Sequence, residues 1–196
     1  MILLAALFLG LLAGAALARG LRRPYRPPDP KYLWLVPVAF LPQLLVVYLP
    51  AGRGMGPVSV AALALPISLV VFLVFVWLNR RIPGMALVLV GMVLNILVIT
   101  ANGGWMPVSP ETARQLPDGA PPSEATPGIR VGDKDILLRS EDTRLELLAD
   151  RFLLPEWLGY RAAYSLGDVF AAAGAFWLLA SPPIVSDLNG SKNADN

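Results

Sequence analysis

Five long apolar runs dominate the pattern of this 196-residue chain. They cover residues 2–18, 33–49, 58–78, 84–101 and 162–180. A helix needs about 20 apolar residues to cross the hydrocarbon core of a bilayer. In lipid the backbone groups must also pair within the segment, which favours helices over open strands. The pattern therefore predicts an all-α polytopic membrane protein with five transmembrane helices.

The first run has two interpretations. Its end, Ala16-Leu17-Ala18, fits the cleavage site of a signal peptide. No Lys or Arg precedes the run, however, and five basic residues follow it within residues 19–32. Because cytoplasmic flanks carry the excess of positive charge, this arrangement favours a retained helix whose N-terminus lies outside.

Charge sets the predicted topology of the remaining helices. Residues 79–82 contain two arginines and no acid, whereas residues 102–161 contain seven basic and ten acidic side chains. We therefore expect a four-helix membrane region over 1–101 and an external segment over 102–161. A fifth transmembrane helix over 162–181 and a disordered cytoplasmic tail over 182–196 would follow. The five tryptophans, Trp105 among them, all fall near predicted membrane interfaces.

The external segment of roughly 60 residues has two parts. Residues 107–132 are rich in Pro and Gly, which predicts a loop. After Ser140, a potential helix cap, Leu145, Leu148 and Phe152 follow with helical spacing. This spacing predicts a short amphipathic helix on the outer membrane surface, ended by Pro155.

Small residues recur every four positions on two of the predicted helices. They are Ala6, Gly10, Gly14 and Ala18 on the first helix, and Gly167, Ala171 and Ala175 on the fifth. Such stripes allow close helix contacts in lipid. We favour packing within one chain over a homodimer seam.

Composition removes many kinds of chemistry. The chain is 56% hydrophobic and 15% charged, and it contains no His and no Cys. Disulfides, thiol nucleophiles, zinc–thiolate sites and catalysis by histidine are therefore excluded. We predict no cofactor, no metal site and no nucleic-acid partner. The basic residues within 19–31 face anionic lipid, so the lipid bilayer is the expected partner, together with a candidate second membrane protein.

Three polar residues define a candidate ligand-binding layer. Gln43, Asn95 and Asp168 each lie six residues from the outer end of a predicted helix, at a depth of about 9 Å. Asp168 is the single ionisable side chain within the predicted spans, and such a carboxylate suggests a functional site. The alternative is an interhelical hydrogen-bond cluster.

Asn102 is a further candidate ligand-binding residue. It lies where the fourth helix meets Gly103 and Gly104. We favour a helix stop with Asn102 near the C-cap. The alternative is an anion or lipid-headgroup site built on exposed glycine amides.

Several segments resemble a family of uncharacterised bacterial multi-pass membrane proteins, a domain of unknown function. They read NGGWMPVSP, KDILL, EDTRL, ADRFLLPEW and AYSLGDVFAAAGAFWLL. The resemblance implies a bacterial plasma (inner) membrane protein and implies no activity. The favoured function is a non-catalytic accessory or assembly subunit, or a binder of lipid or a small ligand.

A weaker resemblance suggests an enzyme. Asp150 in Ala149-Asp150-Arg151 and Asp168 in Tyr164-Ser165-Leu166-Gly167-Asp168 are similar in order and position to the aspartyl dyad of lipoprotein signal peptidases. That resemblance implies an outward-facing aspartyl peptidase in which the two carboxyls share a proton. Leu147 and Ser165 stand where that family has asparagine.

Overall fold

The computed structural model describes residues 2–48, 60–116, 128–131 and 134–181. Five long apolar helices form most of it, and each lies within or nearly coincides with one predicted span. They are α1 (Ile2–Gly20), α2 (Leu35–Tyr48), α3 (Ala64–Leu78), α4 (Met85–Ala101) and α6 (Leu166–Ala180). Among the described residues, only α1 is long and apolar enough to cross a membrane on length and composition alone. The predicted tail over 182–196 lies outside the described residues.

The long helices pack in the order α1, α6, α4, α3, α2. Gly10 packs on Phe176 and Gly14 on Leu179, so α1 and α6 run parallel. Helices α1 and α2 lie at the two ends of the row. Within the described residues they make no extensive contact with each other.

Glycine pairs bring α4 and α6 together. Gly84 packs against Gly174, and Gly91 packs against Gly167, so the two helices run antiparallel. A methyl group added at Gly174 would lie 2.6 Å from the Gly84 carbonyl oxygen, which is closer than atoms can approach. The small residues of α1 and α6 therefore make contacts within one chain, as expected from their spacing.

Two small sheets lie within residues 102–164, so the all-α prediction holds for the long helices but not for this part of the chain. In the first sheet β3 (Asp135–Leu137) lies between β1 (Met106–Val108), which is parallel to it, and β2 (Arg130–Val131), which is antiparallel. In the second, β4 (Phe152–Leu153) pairs with β5 (Ala163–Tyr164). A short helix, α5 (Pro110–Ala113), follows β1.

The predicted amphipathic helix after Ser140 is wrong. Two 3-10 turns, Ser140–Asp142 and Glu146–Leu148, occupy that stretch, and β4 follows them. Leu145 has a φ of 55°, a left-handed conformation that interrupts a helix. Leu148 packs against the buried cluster that contains Met106. Contacts with the rest of the chain therefore outweigh the local helical pattern.

Trp105 differs from its predicted role at a membrane interface. It is buried beside Ile136, at the join between α4 and the first sheet. Its ring forms part of the packing between helix and sheet, whereas Trp34, Trp77, Trp157 and Trp177 are exposed.

Asn79 ties the end of α3 to the segment before α2. Its Nδ2 donates to the carbonyls of Phe75 (2.8 Å) and Lys31 (2.9 Å), and its Oδ1 accepts from the Lys31 amide (2.8 Å). The buried side-chain amide thus satisfies both backbone groups of one distant residue.

We predict that Gly91→Ala destabilises the protein by about 1–3 kcal/mol, because the added methyl group would meet the α6 backbone and force the helices apart. Thermal unfolding in detergent measures the effect. The matched control is Gly20→Ala, where a methyl group meets nothing within 4 Å. Equal melting temperatures for the two variants would contradict the close α4–α6 contact.

Candidate functional site

The start of α6 is fixed by a capping box. Ser165 Oγ accepts from the Asp168 amide (3.1 Å), and Asp168 Oδ2 accepts from the Ser165 amide (3.2 Å). The helix therefore begins at Leu166, four residues later than the predicted span, and Asp168 lies in its first turn. The depth predicted for Asp168 was counted from residue 162, whereas the observed helix begins at Leu166. The S-x-x-D pattern was the sequence signal for this cap.

Asn95 joins this cap to α4. Its Nδ2 donates to Asp168 Oδ1 (2.9 Å), and its Oδ1 accepts from Ser165 Oγ (2.9 Å). The structure thus brings together two of the three residues of the predicted polar layer. Their bonds form a closed network between two helices, the arrangement expected of an interhelical hydrogen-bond cluster.

A cavity of about 500 Å³ lies among the five long helices. Its walls are mainly apolar, with Leu65, Phe72 and Met92 among the lining residues. The side chains with polar groups that line it are Gln43, Ser68, Asn95, Lys134, Tyr164 and Asp168. All three residues of the predicted polar layer therefore face one space. The volume falls in the range of small-molecule pockets, about 300–1,000 Å³.

Ser68 is the buried polar group of this cavity that lacks a partner. It is 2% exposed, and within the described residues its Oγ makes no hydrogen bond. A buried hydroxyl without a partner is costly, which makes it a candidate contact for a polar group inside the cavity. Sequence reasoning missed Ser68, because a single serine in an apolar helix is a weak signal.

Lys134, just before β3, brings a positive charge to the cavity from residues 102–161. Its Nζ lies 2.5 Å from Asp150 Oδ2 and 3.3 Å from Asp135 Oδ1. Burial lowers the pKa of Lys134, but the nearby carboxylates Asp135, Asp150 and Asp168 outweigh it and raise that pKa. The ammonium group therefore stays charged. Sequence reasoning missed this residue, because its partners meet it only through the parallel pairing of β1 and β3.

Asp150 is buried beside the first sheet. Its amide donates to the Pro107 carbonyl (3.1 Å), and the residue forms a parallel bridge with Val108. The side chain is fully buried, and within the described part of the chain its Oδ1 has no hydrogen-bond partner. The pKa of Asp150 is raised to about 6, chiefly by burial. The charge of Lys134 lowers this pKa, and the charges of Asp135 and Asp168 raise it by smaller amounts.

The two carboxylates of the peptidase interpretation have separate partners. Asp150 pairs with Lys134, whereas Asp168 accepts from Asn95 and the Ser165 amide. No hydrogen bond joins the two side chains in the part of the chain that the structure describes. A proton-sharing dyad requires such contact. In the same described part, no group of three or more acidic side chains is placed to hold a metal ion.

Asn102 lies at the C-cap of α4, and its amide is fully used in structural bonds. Nδ2 donates to the carbonyls of Val98 (2.7 Å) and Arg144 (2.8 Å), and Oδ1 accepts from the Arg144 amide (3.0 Å). This pattern matches that of Asn79. The contacts agree with the helix-stop interpretation of Asn102, and they leave its donors occupied.

Comparison with known proteins gives relatives without an assigned activity. Residues 29–180 match the model of a family described as "Family of unknown function (DUF5317)". An uncharacterized protein of Thermotoga maritima is 34% identical over 148 residues, which cover 74% of this chain and 72% of that protein. No solved structure matches the chain.

We predict that Asp150→Asn removes a pH-dependent part of the stability. Because the folded-state pKa lies above the usual value of 3.8, the native protein holds this proton more tightly than the unfolded chain does. The contribution of Asp150 to stability is therefore greatest below pH 4 and is lost as pH rises through 6, by roughly 3 kcal/mol. Melting in detergent from pH 4 to 7 measures it. A native-minus-variant difference that is constant over this range would contradict the raised pKa.

Proposed function

The chain belongs to DUF5317, a family of unknown function, and we propose that it is an integral membrane protein that binds a long-chain amphiphile in the cavity among its five helices. The observation that carries this proposal is the cavity of about 500 Å³, apolar over most of its length and polar at one end. An amphiphile has the same division into an apolar tail and a polar head.

The distribution of lining residues supports this orientation of the ligand. Three of the polar side chains come from the parts of helices nearest to residues 102–161: Asn95 in the second half of α4, Asp168 at the start of α6, and Ser68 in the second turn of α3. The opposite end is lined by apolar side chains such as Phe75, Met85 and Leu178. The head would lie beside the external segment and the tail would extend between the helices.

A membrane location is supported by the apolar surface of the helices. Large side chains such as Leu4 (63%), Phe8 (60%) and Leu45 (54%) are exposed on α1 and α2. Apolar surfaces of this extent are unusual in soluble proteins. Helices α2, α3, α4 and α6 contain 14, 15, 17 and 15 residues. In the proposed arrangement they cross the bilayer as spans shorter than usual, together with α1.

The proposed topology has the N-terminus and residues 102–161 outside a bacterial plasma membrane, with residues 182–196 inside. The basic residues of 19–32 and 79–82 support it. The helix directions support it as well. Five spans that alternate in direction require α1 to run parallel to α6 and α4 to run antiparallel to α6, and the glycine contacts have these directions.

Ligand binding is preferred to the two other functions considered. An assembly subunit would need a surface for a second membrane protein, and no described feature selects one. A peptidase would need Asp150 and Asp168 in contact, and each has other partners. The cavity and the unpartnered Ser68 hydroxyl, by contrast, both point to a small ligand.

We predict that single cysteines will report the topology, since the natural chain has none. In intact spheroplasts a membrane-impermeant maleimide should label Glu156→Cys and should label Arg81→Cys only after permeabilisation. Both side chains are exposed. The reverse labelling pattern would overturn the proposed topology, and labelling of both would show that residue 81 also lies outside.

We predict that dodecylamine, dodecanol or dodecanoic acid forms a saturable one-to-one adduct with the detergent-purified protein in native mass spectrometry. Leu7→Trp fills the cavity and should weaken the tightest adduct by about tenfold or more. Leu9→Trp is the control, because Leu9 lies on the same helix, is 55% exposed and does not line the cavity. Absence of an adduct with all three compounds would overturn the proposed function.

A further inference from the structure

The charged side chains that line the cavity differ in how they are neutralised. Two of the lining residues carry charge, Lys134 and Asp168. Their partners decide which charge a ligand would meet, because a buried charge without a counter-ion is strongly unfavourable. The headgroup of the ligand can therefore be inferred from the ion pairs.

Lys134 is already neutralised by the protein. Asp150 and Asp135 both lie within ion-pair distance of its ammonium group, at 2.5 and 3.3 Å. The Asp150 side chain is fully buried, whereas the Lys134 side chain is 45% exposed, so it is the carboxylate of this pair that water does not reach. An anionic headgroup at Lys134 would have to displace a buried carboxylate, and would then leave that carboxylate unpaired.

Asp168 has only neutral hydrogen-bond donors. Its oxygens accept from the Asn95 amide and the Ser165 backbone, and no side chain in the described part of the chain forms an ion pair with it. An ionised carboxylate can accept about four hydrogen bonds, so it has capacity for further donors. The Lys134 ammonium group interacts with three carboxylates, Asp135, Asp150 and Asp168, and of these three Asp168 alone lines the cavity.

We infer that the ligand carries a protonated primary amine on a long apolar tail, and that this ammonium group binds Asp168. Ammonium groups supply three donors and match the free acceptor capacity of the carboxylate. Ser68 Oγ and Gln43 face the same space and can accept or donate further bonds. This inference rests on the proposed amphiphile site and names the chemical class of its ligand.

Titrations of the full chain in detergent with three twelve-carbon compounds test the inference, read by native mass spectrometry. Dodecylamine should bind about tenfold or more tightly than dodecanol, and dodecanoic acid should bind weakest. Binding of dodecanol or dodecanoic acid with equal or higher affinity than the amine would overturn the amine assignment while leaving the amphiphile site intact. Absence of binding by all three would overturn the site itself.

Variants locate the preference at one residue. Asp168→Asn should reduce the amine-to-alcohol preference to within about threefold, because it removes the charge while its Oδ1 can still accept from the Ser165 amide. Glu111→Gln makes the same charge change at an exposed position outside the cavity and should leave the preference unchanged. An unchanged preference in Asp168→Asn would overturn the inference. Should that variant fail to fold, Gln43→Lys provides the test. It places a positive charge in the cavity and should weaken binding of dodecylamine more than binding of dodecanol. Unaltered binding of dodecylamine would overturn the inference.

Two sources of the ammonium group are separated by a final competition. Phosphatidylethanolamine carries the same group on a membrane lipid. If phosphatidylethanolamine forms an adduct that dodecylamine displaces, the inference is supported with a lipid as the source of the ammonium group. If dodecylamine forms an adduct that this lipid cannot displace, the inference is supported with a free alkylamine as the source.

Discussion

The close backbone contact between α4 and α6 is the constraint on which the rest of this structure depends. Gly84 meets Gly174 and Gly91 meets Gly167, so no side chain separates the two helices there. In lipid, where the hydrophobic effect does not drive helices together, such contact supplies much of the packing energy. It also places Asn95 against the first turn of α6, where the amide completes the cap. The polar end of the cavity follows from this helix pair.

The long helices were predictable because their signal is continuous over many residues, and the small-residue spacing identified the packing surfaces of α1 and α6. The start of α6 was misplaced because the apolar run continues through Ala162 and Ala163, which belong to an extended segment and a strand. The S-x-x-D cap at Ser165 marks the true start. A local motif was here more informative than hydropathy.

The structure of residues 102–164 was predicted poorly for a different reason. Its strands contain two or three residues each, too few to show an alternating pattern, and they are held by partners distant in sequence. Lys134 and Asp150 are 16 residues apart and meet because β3 lies beside β1 while Asp150 bridges Val108. Nothing in the local sequence distinguishes Lys134 from a solvated lysine. Gln43, Asn95 and Asp168 were found because polar groups in apolar helices are conspicuous.

The asparagine at the end of α3 has a mechanical consequence when combined with Tyr25. Asn79, at the end of α3, holds Lys31, which lies just before α2. Tyr25 lies just after α1, and its hydroxyl donates to the Leu179 carbonyl of α6 (2.8 Å). The first and last helices of the row are therefore tethered at the same end of the bundle, the end remote from residues 102–161. Any separation of α1 from α2 would therefore be smallest at this tethered end and largest at the opposite end. In the proposed amphiphile site, that opposite end is the one that holds the headgroup.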